Sequence, residues 1–255
     1  MIKNITIIIL ILCSSTILAQ QREFYQLKVY SFETESQQKA TDIFLETAYL
    51  PALKRVNISN VGVFKPRDVD SSGIKKTYIL IPFSTLAQFE SLDSSLSKDK
   101  IYLKDGSSYL KASHDKPLYT RIASTLLKAF EDHPNLAPTK LKGPREDRVY
   151  ELRSYESATE NLYRNKVDMF NSGGEVKLFD KLNFNAVFYG EVLSGAAMPN
   201  LMYMTTFENH EHRDAHWKQF GDSPEWSVLK IKPEYQNNVS HIDITFLYPT
   251  LYSDY

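Results

Sequence analysis

The segment Phe24–Tyr30 has a position-by-position counterpart in Val149–Tyr155, and this recurrence constrains the fold more than any other feature of the chain. Tyr25 answers Tyr150, Leu27 answers Leu152, Lys28 answers Arg153 and Tyr30 answers Tyr155. Both segments alternate in polarity as strands do. The correspondence continues downstream of each. A helical stretch (Gln37 to Arg55; Ala158 to Leu182) leads to a second strand (Asn60–Phe64; Asn185–Tyr189) and a third (Thr77–Phe83; Leu201–Phe207). A second helix (Leu86–Leu96; His210–Phe220) and a fourth strand (Leu118–Ile122; His241–Leu247) complete each copy. The order β-α-β-β-α-β, met twice, predicts an α+β chain of two tandem ferredoxin-like repeats. A period this long marks a duplicated domain and not a solenoid. The boundaries are 20–131 for the first repeat, 132–147 for a linker holding Pro134, Pro138, Gly143 and Pro144, and 148–255 for the second. Ser94 to His114 reads as a polar insertion.

Residues 1–19 have the layout of a secretory signal peptide: Lys3, an apolar run from Ile5 to Leu12, and small or medium residues through Ala19. The run is too short for a comfortable membrane span. Cleavage after Ala19 or Gln20 would give a secreted or periplasmic protein with no membrane segment. It would also remove Cys13, the only cysteine, and with it any disulfide, thiolate nucleophile or cysteine metal site. The formal net charge of -1 argues against general affinity for nucleic acid or anionic membrane.

Several runs in the second repeat resemble the NIPSNAP family. They are Met169 to Glu175 (MFNSGGE), Asn185 to Glu191 (NAVFYGE), Met198 to Phe207 (MPNLMYMTTF), Phe220 to Trp226 (FGDSPEW) and the ending Tyr248-Pro249 with Tyr252-Ser253. In the first repeat, Tyr49 to Arg55 looks similar, without a counterpart of the Pro-Glu-Trp run. The resemblance implies a dimeric α/β-barrel fold, in which two ferredoxin-like units set their sheets face to face. Here both units lie in one chain, as a pseudo-dimer. If each repeat paired instead with another chain, the protein would be a homo-oligomer. Relatives at the level of that fold include cofactor-poor monooxygenases, haem-handling enzymes and small-molecule lyases. The family supplies no catalytic residues to carry over.

Strand alternation then sorts side chains by parity. Tyr25, Leu27, Val29, Tyr150 and Leu152 are expected to pack under the helices. The opposite parity sends Lys28, Tyr30, Tyr119, Arg121, Glu151, Arg153, Tyr155, His241 and Asp243 into the barrel interior. Buried charges there must be paired or wetted. One reading is a satisfied salt-bridge network of Glu151 and Asp243 with Arg153, Lys28 and Arg121. The other is a pocket for an anionic or polyhydroxylated small molecule, gripped by Arg153 and Arg121, with His241 beside Asp243 as the catalytic acid/base candidates.

His212 and His216 stand at i and i+4 on one helical face, a weak two-histidine metal pattern with Glu208 as a third candidate. A solvated polar face explains the same residues, with Phe207, Trp217 and Phe220 as core. Ser172-Gly173-Gly174-Glu175 reads as a capping box, and Ser223-Pro224-Glu225 as a helix restart. No glycine-rich phosphate loop, zinc signature or nucleophile elbow is present, so no cofactor is implied. The expectation is an exported small-molecule-binding module with a polar barrel interior. The alternatives are a cofactor-poor enzyme of the monooxygenase or lyase kind and a purely structural or interaction protein.

Overall fold

The structure, a computed structural model, describes residues 21–68 and 73–255. The leader inferred at residues 1–19, with Cys13, lies outside the described residues. The first half runs β1 (Phe24–Phe32), α1 (Glu35–Phe44), a π-helical turn (Leu45–Tyr49), α2 (Leu50–Arg55), β2 (Gly62–Pro66), β3 (Lys75–Phe83), α3 (Leu86–Leu96), α4 (Lys100–Asp105), α5 (Ser107–Leu110) and β4 (Arg121–Ala129). The second runs β5 (Val149–Glu156), α6 (Glu160–Phe170), α7 (Glu175–Lys181), β6 (Phe188–Ser194), β7 (Asn200–Phe207), α8 (His210–Asp222), α9 (Pro224–Leu229), a 3-10 turn (Pro233–Tyr235) and β8 (His241–Pro249). Between β4 and β5 the chain forms no helix or strand.

The helices start where short polar side chains can accept orphan amides. Thr34 accepts from Gln37, Thr85 from Gln88, Thr159 from Leu162 and Asn209 from His212. Ser223 caps α9, with Pro224 in the first turn as expected. The expected Ser172 capping box does not form. Gly174 itself is the N-cap of α7, in the left-handed region at φ +90, and the Glu175 carboxylate is drawn inward to Lys166. The fourth strand of the first half also differs from expectation: it begins at Arg121 and not at Leu118. The Thr120 amide already reaches the Ser31 carbonyl, and regular pairing with β1 takes over from there.

All strand pairings are antiparallel and close into one barrel in the order β1-β3-β2-β8-β5-β7-β6-β4. The seams between the halves are short. β2 meets β8 at Phe64↔Pro249, Lys65↔Tyr248 and Pro66↔Leu247, and β4 meets β6 only from Leu126 onward. The first residues of β4 and β8 therefore run past their neighbours at one end of the barrel.

Three buried clusters fill the molecule. One, with Tyr30, Phe32, Ile79 and Phe83, lies between the first half's strands and helices. A second, with Tyr155, Tyr189, Tyr203 and Phe207, lies between the second half's strands and helices. The third joins Tyr25, Leu27, Phe64, Tyr78, Leu80, Leu127, Tyr150, Leu152, Phe188, Met204 and Leu247 from both halves, and it is the barrel lumen. An eight-stranded barrel is just wide enough for its own side chains to fill it.

This overturns the expected assignment of faces. Tyr25, Leu27, Tyr150 and Leu152 fill the lumen, whereas Lys28, Tyr30, Glu151, Arg153 and Tyr155 lie outside it, under the helices. The physical reason is a supply of partners. A charge in a packed lumen meets only other strands, whereas a charge beneath a helix can be answered by that helix's polar side chains.

Candidate functional site

Glu151 is the centre of the buried charges. β5 turns it toward α8, and its side chain has no exposed surface. Arg153, two residues on along the same face, donates from Nε to Oε1 at 2.7 Å. Arg213 of α8 forks onto the carboxylate, Nε to Oε2 and Nη2 to Oε1, each at 2.9 Å. Trp217, one turn later, donates from Nε1 to Oε2 at 2.8 Å. The Arg153 guanidinium lies 3.8 Å from the centre of the Trp217 ring, a cation–π stack. Its Nη1 donates to the Tyr155 hydroxyl at 3.0 Å, which also receives the Tyr203 hydroxyl at 2.8 Å.

Burial pushes the Glu151 pKa up, but the bonds from Arg213, the charge of Arg153 and the bond from Trp217 outweigh it and hold the carboxyl below its ordinary range. Burial likewise opposes the Arg153 charge, and Tyr203, Tyr155 and Glu151 more than offset it. A second buried pair, Lys166 Nζ to Glu175 Oε2 at 2.8 Å, lies in the same layer between α6 and α7. Every charged group here is paired or hydrogen-bonded, so the region is a satisfied salt-bridge network that locks α8 to β5, although Asp243, Lys28 and Arg121 take no part in it.

The first half echoes this layer without its carboxylate. Gln26 occupies the position of Glu151 and donates to Ser124 at 2.8 Å. Lys28 is half-buried over Tyr49 and Tyr30, at 5.2 and 5.7 Å from their ring centres. Burial lowers its pKa, with Asp93 opposing. Tyr119 precedes β4 and packs on Tyr30 and Tyr109, so it too belongs to the helix side.

Arg121, His241 and Asp243 separate from that group. The register places Arg121 opposite Ser31, His241 opposite Glu156, and Asp243 opposite Ser154. They share the strand face of Leu127 or Leu247 and stand at one end of the lumen. The first four residues of both β4 and β8 are exposed, and burial begins further in. The far end is filled by the lumen residues Tyr150 and Phe64, capped by the buried ring of Tyr255 at 6.4 and 6.0 Å from theirs, with Leu136 of the linker packed beside them. Among the described residues, one end of the barrel is plugged by rings, and at the other the first residues of β4 and β8, Arg121, His241 and Asp243 with them, are exposed. His241 Nε2 lies 3.1 Å from Asp243 Oδ1. A cleft of about 200 Å³ lies between β8 and the β2–β3 end, lined by Pro66, Lys76, Tyr78, Ile244 and Thr245; Arg121, Glu156, His241 and Asp243 do not line it.

Larger clefts lie elsewhere. In one of about 450 Å³ near the linker, Lys65 pairs with Asp42 at 2.5 Å and Arg145 donates to the Thr250 and Ser253 carbonyls.

His212 and His216 do not gather a third ligand. His216 Nδ1 is 2.7 Å from the His212 carbonyl, and its ring packs edge-on against Phe184. Glu208 accepts from the Lys142 and Gly143 amides at 2.9 and 2.8 Å, which ties the linker down.

Sequence reasoning did not name Arg213, Lys166 or Glu156 as site residues, and it read Trp217 only as core and Glu175 only as part of a capping box. Arg213 and Trp217 stand at i and i+4, a spacing that puts an arginine and an indole N–H on one helical face. That signal was readable. Lys166 and Glu175 lie on different helices, and nothing local joins them.

Residues 150–254 match the family model described as NIPSNAP. Among solved structures, a candidate monooxygenase from Fusobacterium nucleatum aligns at TM-score 0.57 and 7% identity, over 90% of this chain and 93% of that one. A candidate monooxygenase from Lactobacillus acidophilus aligns at 0.56 and 10%, over 89% and 94%. An anthrone oxidase-like protein aligns at 0.50 and 11%, over 91% and 93%. At these identities the likeness is one of fold. No curated protein matches the chain.

Proposed function

We propose, for a chain whose residues 150–254 form a NIPSNAP domain, that the protein is an exported small-molecule-binding module that takes its ligand at the open mouth of the barrel. It is built from two ferredoxin-like repeats of one duplicated unit, and residues 1–19 direct its export. The ligand is anionic or polyhydroxylated, and the module needs no catalytic step. The observation that carries this reading is the distribution of polarity on the lumen face. Leucines, tyrosines and phenylalanines plug the barrel, and charge is concentrated at one rim in Arg121, Glu156, His241 and Asp243. Binding sites combine an apolar floor with a few placed polar groups. The barrel closes within one chain, so a second copy is not needed to complete this mouth.

The test is thermal denaturation of the purified protein against a panel of small carboxylates, phosphates, sugar acids and neutral polyols. A ligand at 100 times its Kd stabilises by about 2.7 kcal/mol, which for a chain of this size raises Tm by roughly 5–10 °C. Arg121→Ala should weaken a bound anion by at least about tenfold, the order expected for one lost charge-assisted contact. A ligand whose affinity ignores Arg121 and His241 would sink the reading.

A second reading draws on the His241–Asp243 contact of 3.1 Å and the fold shared with candidate monooxygenases. In it, His241 is a general base oriented by Asp243. Turnover of any substrate found at the mouth, abolished by His241→Ala with binding retained, would favour this enzyme over the binding module.

A further inference from the structure

The donor set at the mouth is more specific than a polar rim. Glu156, His241 and Asp243 each offer one ligand atom, and these three atoms lie within 4.8 Å of one another. Glu156 and His241 are direct cross-strand partners on β5 and β8, and Asp243 follows His241 by two on the same face. The Ser240 amide to the Glu156 carbonyl, at 2.8 Å, extends the ladder past them, so the backbone under all three is fixed by pairing.

We infer that these three side chains form a binding site for a divalent transition-metal ion of the zinc or manganese class. Three further observations support the assignment. First, one pair already stands at ligand spacing. Ligand atoms each about 2.0–2.2 Å from a metal lie about 2.8–3.6 Å apart at octahedral to tetrahedral angles; His241 Nε2 and Asp243 Oδ1 are 3.1 Å apart, and the Glu156 oxygen, within 4.8 Å of both, reaches them by a side-chain rotation. Second, the charges need an answer. The His241–Asp243 contact is a full ion pair only with the imidazole protonated, and no hydrogen bond or ion pair among the described residues holds the Glu156 side chain. Two carboxylates and an imidazole crowd one point, and a dication satisfies all three at once. Third, the fold does not require these residues. At the equivalent register of the first half, Ser31 faces Arg121, and Ala123 stands where Asp243 does, so that rim has no donor set.

Three protein ligands leave coordination positions open to water or to an oxygen of a bound molecule. Arg121 stands on the equivalent strand of the other half, at the same rim. The ion would thus select an oxygen ligand, either anionic, with a carboxylate or phosphate, or polyhydroxylated, with vicinal hydroxyls. This inference rests on the reading of the mouth as the binding end.

The experiment is isothermal titration of the chelator-treated full chain with Zn(II) and, separately, Mn(II), alongside Glu156→Ala, His241→Ala and a His212→Ala/His216→Ala control. The expected result is one ion per chain, bound at least tenfold more weakly by Glu156→Ala and by His241→Ala and unchanged in the control. Co(II) should give visible d–d bands that His241→Ala alters. No saturable binding, binding unaffected by Glu156→Ala and His241→Ala, or binding lost in the His212/His216 control would each overturn the site. Arg121-dependent ligand binding by the chelated protein separates the two ideas: if it persists while metal binding fails, the metal site falls and the mouth reading stands.

Discussion

Glu151 has no exposed surface, yet its carboxylate accepts from two guanidinium groups and an indole. Pairs of this kind can be replaced together at little cost, but breaking one strands a buried charge. Glu151→Gln should lower unfolding free energy by about 3–5 kcal/mol, measured from urea midpoints. A smaller loss for the triple change Glu151→Leu/Arg153→Met/Arg213→Met than for Glu151→Gln alone is expected on the same physical grounds. Because the folded-state pKa is depressed, the contribution of Glu151 is complete above the unfolded value of about 4.3. It is lost as pH falls from there through the folded value. Urea midpoints between pH 7 and 3 should therefore fall more steeply in the parent than in Glu151→Gln. Equal acid limbs would show that the pair is not coupled to protonation.

At the scale of elements, the turn into α7 shows backbone geometry overruling a side-chain motif. The spacing Ser172 to Glu175 has the form of a capping box, but Gly174 occupies the left-handed region and the Glu175 side chain pairs with Lys166. A Cβ on Gly174 meets nothing within 4 Å, so Gly174→Ala tests backbone strain alone. It should cost about 1–2 kcal/mol. Gly221→Ala, in open space inside the last turn of α8, should be neutral or stabilise by up to about 1 kcal/mol. Thermal scans of the two variants make the comparison, and equal shifts would refute the strain at Gly174. The strands show a related limit. Lys28 and Arg153 alternate correctly with Leu27 and Leu152, so parity grouped residues properly within β1 and β5, but the expected interior set wrongly joined them to Arg121, His241 and Asp243 of β4 and β8. Parity does not say which group faces the helices, and here both faces of β1 and β5 carry large apolar side chains.

For the whole molecule, the lumen is the element common to both halves. Tyr25, Leu27 and Leu80 from the first pack with Tyr150, Leu152 and Met204 from the second in one cluster. Neither half can bury its lumen face alone, so the chain should unfold in one step. Both tryptophans, Trp217 and Trp226, lie in the second half. Their fluorescence should report the same urea midpoint as far-UV circular dichroism, which sees both halves. An earlier dichroism transition without a fluorescence change would mean the halves fold independently.

Two strands, Phe24–Tyr30 and Val149–Tyr155, carried enough period-two pattern and mutual likeness to declare a β-α-β-β-α-β order twice over, because such patterns are local. The cap at Ser223 is local in the same way. The residues of the mouth were also readable as types: Arg121, His241 and Asp243 stood out as polar positions on alternating strands. Which of them meet was decided by strand register across the barrel, which brought Glu156 to His241 and sent Arg153 away from both, under α8. Pairing between residues more than 60 positions apart, such as Arg213 with Glu151, depends on where a helix lands on a sheet. That is a property of three-dimensional packing and carries no periodic trace along the chain.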